Sequence, residues 1–175
     1  EAELFELCSV EENGYEALAL LSELSGSPKI ANELIRPYIA DVPTSGDLDV
    51  TTLGPLIADI MPEECIVSDE SATSSLIVTP HALQAKPHDW LALTGGSIGQ
   101  GLPLAIGASI AKPDRPVITL HGDGGAMYTV QALWTQAREN LNITNIIFSN
   151  RSYEILKIEL DRVQAVETGE RAASM

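Results

Sequence analysis

Apolar and polar positions along the chain fall into runs whose period changes several times. "YEALALLSEL", Tyr15 to Leu24, has helix formers throughout and predicts one amphipathic helix, stopped by "SGSP" at Ser25 to Pro28. Short apolar runs broken by Pro and Gly follow, and residues 26–47 read as a connector with room for a short helix at Ile30 to Arg36. "LGPLIADIM", Leu53 to Met61, predicts a short helix after the polar start "DVTT", with Pro55 early enough to be tolerated. "CIVSDE", Cys65 to Glu70, predicts a short strand, and the stretch from Leu76 to Trp90 is irregular. "TGGSIGQGLP", Thr94 to Pro103, is a glycine-rich loop that opens the small-residue helix "LPLAIGASIAK". "RPVITLHGDGG" is a buried strand running into a glycine turn. Tyr128 to Asn140 predicts a helix with Val130, Leu133, Trp134 and Ala137 on one face. Thr144 to Asn150 is the next strand, and Tyr153 to Val163 the next helix.

Strands alternating with helices predict an α/β fold, a three-layer doubly wound parallel sheet with helices on both faces, preceded by a helix and a linker. Such sheets bind ligands at the carboxyl ends of their strands. "SDESATSS", "HGDGG" and "SNRSY" each follow a strand end, so they converge on one edge.

Charge narrows the partners. With 25 acidic against 10 basic residues the formal net charge is −15, which opposes nucleic acid or an anionic membrane as a partner. Cys8 and Cys65 are the two cysteines, without CxxC or Cys/His spacing, and they suit a cytoplasmic location rather than a disulfide framework or structural zinc. No run of about 18 apolar residues predicts a membrane span.

"GDGGAM" carries the candidate chemistry. Glycines beside Asp123 allow a sharp turn and a close backbone approach, and the next helix offers free N–H groups and its positive dipole end. An aspartate in a phosphate cradle repels the phosphate unless a divalent cation lies between them, and Mg2+ prefers such oxygen ligands. On its own the motif is equally a solvated turn in which Asp123 starts a helix. Asn150 stands 27 residues further on, where the next strand returns beside the first, so its amide oxygen could complete the ion's shell. Taken singly, Asn150 is also an ordinary turn residue.

Together, "GDG" at Gly122 to Gly124 and "SN" at Ser149 and Asn150 resemble the signature of thiamine diphosphate-dependent enzymes. "TGGSIGQGLPLAIGASIA", "GDGGAMYTVQALWTQARENL" and "NRSYEILKIEL" are similar to the acetolactate synthase and benzoylformate decarboxylase branch over residues 50–165. The resemblance implies that Asp123 and Asn150 ligate Mg2+ through side-chain oxygens and Ser152 through its carbonyl. It implies N–H donation from Gly124 and Gly125 to the diphosphate, with Tyr153, Ser71 and Thr73 close by. Gly96 would accept from the cofactor's amino group, the Ile98 N–H would meet the pyrimidine, and the Ile98 side chain would wedge the cofactor into its bent form.

The resemblance further implies a 2-oxo acid substrate, acted on by decarboxylation followed by carboligation, or by protonation and aldehyde release. It assigns activation of the cofactor to a glutamate on a separate pyrimidine-binding domain of the same or a partner chain, within a homo-oligomer. No segment here resembles that domain, so no catalytic residue is assigned and the chain alone is expected to be inactive. Glu63, Glu64 and Glu70 are not given that role. Residues 1–25 are similar to the end of a middle domain, 26–47 to a linker and 48–175 to part of the cofactor-binding domain, as in a slice of a longer enzyme. Ser149 departs from the first Asn of many relatives, a position that does not ligate the metal.

Two other readings remain. One is a non-catalytic fragment that holds cofactor weakly or not at all. The other is a Rossmann-type nucleotide protein, opposed by "GGSIGQG", which lacks strand–GxGxxG–helix spacing. His81, His88 and His121 have no partner at readable spacing, with His121 the one placed at a strand end. Trp90 and Trp134 read as packing residues, and Cys65 as core.

Overall fold

A computed structural model describes residues 5–26, 42, 45–163 and 169. The chain forms two compact units, Glu1–Arg36 and Pro37–Met175. The first contains helix α1 (Gly14–Leu24), opened by Asn13, whose side chain accepts from the Tyr15 and Glu16 N–H groups. The amphipathic pattern is helical as expected, but none of the helix's residues is buried. The short helix expected at Ile30 to Arg36 lies outside the described residues.

The second unit opens with α2 (Val50–Ile60), three residues earlier than the apolar pattern predicts. Asp49 explains the shift. Its carboxylate accepts from the Thr51 and Thr52 N–H groups at 2.9 Å, and the Asp49 N–H donates to the Thr52 hydroxyl at 3.0 Å, a reciprocal capping box. Pro55 therefore falls inside the helix rather than near its start. Strand β1 (Ile66–Glu70) follows, then a 3₁₀ turn at Ala72–Ser74 running into α3 (Ser75–Ala82). Strand β2 (Asp89–Ala92), helix α4 (Gly101–Ala111) and strand β3 (Val117–Gly122) come next. The short helix α5 (Asp123–Ala126), α6 (Ala132–Arg138), β4 (Ile143–Phe148) and α7 (Glu154–Arg162) complete the described elements.

All four strands are parallel, in the order β2-β1-β3-β4. On one face Ile57 of α2, Met61 at its C-terminal cap, and Val78 and Ala82 of α3 pack on Val67, Ile118, Leu120 and Phe148. On the other, Ala105 of α4 packs on Ile66 and Val117, while Leu102 meets Ala132 of α6. These three layers match the expected α/β architecture. Chain order leaves β1 in one direction to β2 and leaves β3 in the other to β4, so the switch point of the sheet lies between β1 and β3.

Three expectations need correction. The irregular stretch from Leu76 to Trp90 holds α3 and the start of β2, so the sheet has a fourth strand that the pattern did not reveal. β2 is four residues long and only half-buried, which leaves little apolar signal. The helix expected from Tyr128 to Asn140 is α6 alone, and its buried residues are Ala132 and Gln136. The inward face is set by polar pairing. The Thr119 hydroxyl donates to Asn145 Oδ1 at 2.8 Å, and Asn145 Nδ2 donates to Gln136 Oε1 at 2.8 Å. Trp134, read as a packing residue, is 62% exposed and lies under the Arg138 guanidinium, 4.6 Å from its ring centre. Trp90 does pack against the core, and Cys65 is wholly buried within it. Burial pushes the Cys65 thiol up, against a smaller lowering pull from Arg115.

Candidate functional site at the sheet switch point

Parallel register brings three strand ends together, because Glu70 of β1 pairs with His121 of β3, and Gly122 of β3 with Phe148 of β4. A cavity of about 530 Å³ opens above them, a size suited to a small-molecule ligand. Ser71 and Thr73 line it after β1, Gly96 and Ile98 from the glycine-rich loop, and Asp123, Gly124 and Gly125 after β3. Asn150, Ser152 and Tyr153 line it after β4. The fold thus gathers all the residues that the sequence nominated around one opening.

At the end of β3, Gly122 is extended and α5 begins at once. The Asp123 carboxylate accepts from the Gly124 N–H at 2.9 Å and, across the gap between strands, from the Arg151 N–H at 3.1 Å. The Ser149 hydroxyl reaches the same carboxylate at 3.5 Å. Asp123 therefore ties the β3 turn to the β4 turn. Asn150 Oδ1 accepts from the Ser152 N–H at 2.9 Å, which folds residues 150–152 into a tight turn. Tyr153 lies against Gly124, where an added Cβ would come within 3.1 Å of the ring. Among the described residues no three His, Cys, Asp or Glu side chains cluster as metal ligands.

At the end of β1, two acidic side chains are buried side by side in sequence. Asp69 is 8% exposed and accepts from the Ser71 N–H at 2.9 Å, the Ser71 hydroxyl at 2.7 Å and the Ser75 hydroxyl at 2.9 Å. The Ser71 hydroxyl is thus engaged with Asp69. Glu70, 6% exposed, accepts from the Gly99 N–H at 2.5 Å and the Gly101 N–H at 2.6 Å. His121, fully buried, brings Nε2 to 3.0 Å from Glu70 Oε2, off the line of a directed hydrogen bond, while Nδ1 lies 3.1 Å from the Gly122 carbonyl. With both polar atoms buried and so close, the contact is electrostatic.

Sequence reasoning missed the Glu70–His121 pair. Glu70 and His121 are 51 residues apart, and only the β1–β3 register, pairing these two positions, makes them neighbours. His81 is half-buried in α3, and His88 lies in the loop before β2, edge-on to Trp90 with ring centres 5.8 Å apart.

The glycine-rich loop has positive φ at Gly95, Gly96 and Gly99, at +62°, +70° and +91°. Within it the Ile98 N–H donates to the Gly96 carbonyl at 2.9 Å. The two backbone groups that the resemblance assigns to a pyrimidine are thus bonded to each other here. Ile98 itself is 58% exposed toward the cavity mouth.

Among the described residues no helix is long and apolar enough to cross a membrane. Residues 72–174, more than half of the chain, match the family "Thiamine pyrophosphate enzyme, C-terminal TPP binding domain". The "Putative acetolactate synthase large subunit IlvX" of Mycobacterium tuberculosis is 50% identical over 121 residues, 69% of this chain and 24% of that protein. Benzoylformate decarboxylase of Pseudomonas aeruginosa is 30% identical over 139 residues, 79% of this chain and 26% of that protein. Among solved structures, the thiamine diphosphate-dependent 4-hydroxybenzoylformate decarboxylase of Rhodococcus jostii RHA1 superposes with a TM-score of 0.66 at 26% identity, covering 89% of this chain and 30% of that one. The chain spans about a quarter of the length of these curated relatives. It belongs to the thiamine pyrophosphate enzymes and carries their C-terminal cofactor-binding domain.

Proposed function

We propose that the cavity at the switch point holds the diphosphate end of thiamine diphosphate through Mg2+, as part of an enzyme acting on 2-oxo acids. The observation that carries this reading is the Asp123 carboxylate spanning the β3 and β4 turns, 3.1 Å from the Arg151 N–H, at the rim of the cavity. The donor set fits a hard cation: one carboxylate, the Asn150 amide oxygen and the Ser152 carbonyl, all oxygen. Asp69, Glu70 and Asp123 leave the cavity too acidic for a bare diphosphate, and a divalent ion removes that repulsion.

In this reading the Gly125 N–H, and the Gly124 N–H once released from the Asp123 carboxylate, would meet the diphosphate at the start of α5, with Ser71, Thr73 and Tyr153 around it. Gly96 and Ile98 receive the ring end, which requires the bond between them to open. Thiamine diphosphate, when bound, supplies the electron sink for cleaving the bond beside a 2-oxo group. Ile98 would be the side chain that wedges the cofactor, and Asp123 with Asn150 would hold the cation that offsets its charged end. In this reading activation of the cofactor would fall to a glutamate of a pyrimidine-binding domain, in the same polypeptide or a partner.

The identity with the M. tuberculosis relative supports decarboxylation followed by carboligation, as in an acetolactate synthase. The likeness to the R. jostii structure supports a second reading, decarboxylation with aldehyde release. Both share the metal-held diphosphate. Asp123→Ala is expected to abolish Mg2+-dependent binding of thiamine diphosphate, read by titration calorimetry beside the wild-type chain. Equal affinity in the two proteins would overturn the proposal.

A further inference from the structure

We infer that Glu70 is a positioning residue for the ring end of the cofactor, the fixed anchor behind a turn that opens. The inference rests on the proposed function for the identity of the ligand, and on geometry for the anchor itself. Glu70 ends the central strand β1 and is 6% exposed, yet it makes no contact typical of a surface acid. Both its oxygens accept from one short segment, Oε1 from the Gly99 N–H at 2.5 Å and Oε2 from the Gly101 N–H at 2.6 Å, and Oε2 also lies 3.0 Å from His121 Nε2. Charge-assisted bonds in a buried setting are about twice as strong as neutral ones.

Two more bonds hold the same segment from its carbonyl side. The Thr129 hydroxyl donates to the Gly99 carbonyl at 2.7 Å, and the Ser68 hydroxyl to the Gly101 carbonyl at 2.9 Å. Close packing seals it. An added Cβ at Gly101 would stand 2.9 Å from His121 Cδ2 and 3.0 Å from Glu70 Cβ, and one at Gly99 would stand 2.8 Å from Tyr128 Cβ. Residues 99–101 are thus immobilised on the sheet.

Immediately before them, Gly95 to Ile98 are exposed, and added Cβ atoms at Gly95 and Gly96 would meet nothing within 4 Å. Their left-handed conformations are ones that glycine leaves and enters cheaply. The self-paired Gly96–Ile98 turn therefore sits on a hinge whose downstream end Glu70 fixes. Glu70 also reaches the other half of the cavity. An added Cβ at Gly125 would lie 3.1 Å from Glu70 Oε1 and 3.1 Å from His121 Cε1, so the acid and the imidazole fill the space between the two turns. Glu70 sets the distance between the group that takes the ring and the group that takes the diphosphate.

The test compares wild type with Glu70→Gln, which keeps the shape but presents an amide NH2 to a backbone N–H. Without any ligand, amide exchange followed by NMR should be at least tenfold faster at Gly99 or Gly101 in the variant, with the β4 amides unchanged. Exchange within twofold at both glycines would overturn the anchor. Titrations with thiamine diphosphate and with inorganic diphosphate, each with Mg2+, read the consequence. The variant should lose about tenfold in its preference for thiamine diphosphate while holding inorganic diphosphate within twofold. Equal loss of both ligands would reduce Glu70 to a fold-holding residue and overturn the inference. If wild type binds neither ligand, the proposed function fails, and the exchange measurement still decides the anchor. Should Glu70→Gln not fold, Thr129→Val frees Gly99 from its other side and should show the same selective loss; an unchanged preference would contradict the inference.

Discussion

Gly101 and Gly107 lie six residues apart on α4 in opposite surroundings. A Cβ at Gly107 would meet nothing within 4 Å, whereas one at Gly101 would press on buried atoms of His121 and Glu70 at 2.9 and 3.0 Å. Gly107→Ala should therefore stabilise the domain by about 0.5–1 kcal/mol, the ordinary helical gain over glycine. Gly101→Ala should destabilise it by about 1–3 kcal/mol, because the strand ends beneath it have no room to give. Urea unfolding of the two variants checks both signs, and a stable Gly101→Ala protein would mean that the close approach does not exist in solution. At this scale the convergence of Asp123 and Asn150 on one cavity was legible, because each follows a strand end that the sequence marks. Glu70 was not. Its importance comes from backbone N–H groups 29 and 31 positions away, and hydrogen bonds to backbone leave no mark on the partner's residue type.

The elements follow the same division. Long apolar runs such as "RPVITLHG" announced β3, but β2 draws its place from pairing with β1 alone. The start of α2 was hidden by reading the apolar face rather than its cap. Asp49 accepts bonds from the Thr51 side chain and the Thr52 backbone, and these hold its carboxyl below the usual aspartate range. A lowered carboxyl contributes stability that is complete above the unfolded value of about 3.9 and is lost as pH falls through the lowered one. The melting temperature of wild type should thus exceed that of Asp49→Ala by a constant margin at neutral pH, and the margin should shrink below about pH 4. A margin unchanged into acid would show that the charge on Asp49 adds nothing to the cap. The inward face of α6 was misread for another reason. Gln136, a polar residue, is buried because Asn145 of β4 bonds to it at 2.8 Å, and hydrophobic periodicity is blind to such pairs.

Over the whole molecule, charge and topology act together. A chain of net charge −15 repels a free diphosphate, and the sheet's switch point adds the Asp123 carboxylate at the rim of its cavity. Cofactor binding should then depend wholly on a divalent ion. Helix α7 leaves Ile155, Leu156 and Ile158 more than 40% exposed, and Leu18, Leu20 and Leu24 of α1 are exposed further. The most direct test of the central claim is calorimetric titration of thiamine diphosphate into the folded 175-residue chain, with Mg2+ and then with EDTA. Binding in Mg2+ that disappears in EDTA is the predicted result. Binding that survives EDTA, or no heat in either buffer from a chain that circular dichroism shows to be folded, would contradict a metal-held diphosphate site at the ends of β3 and β4.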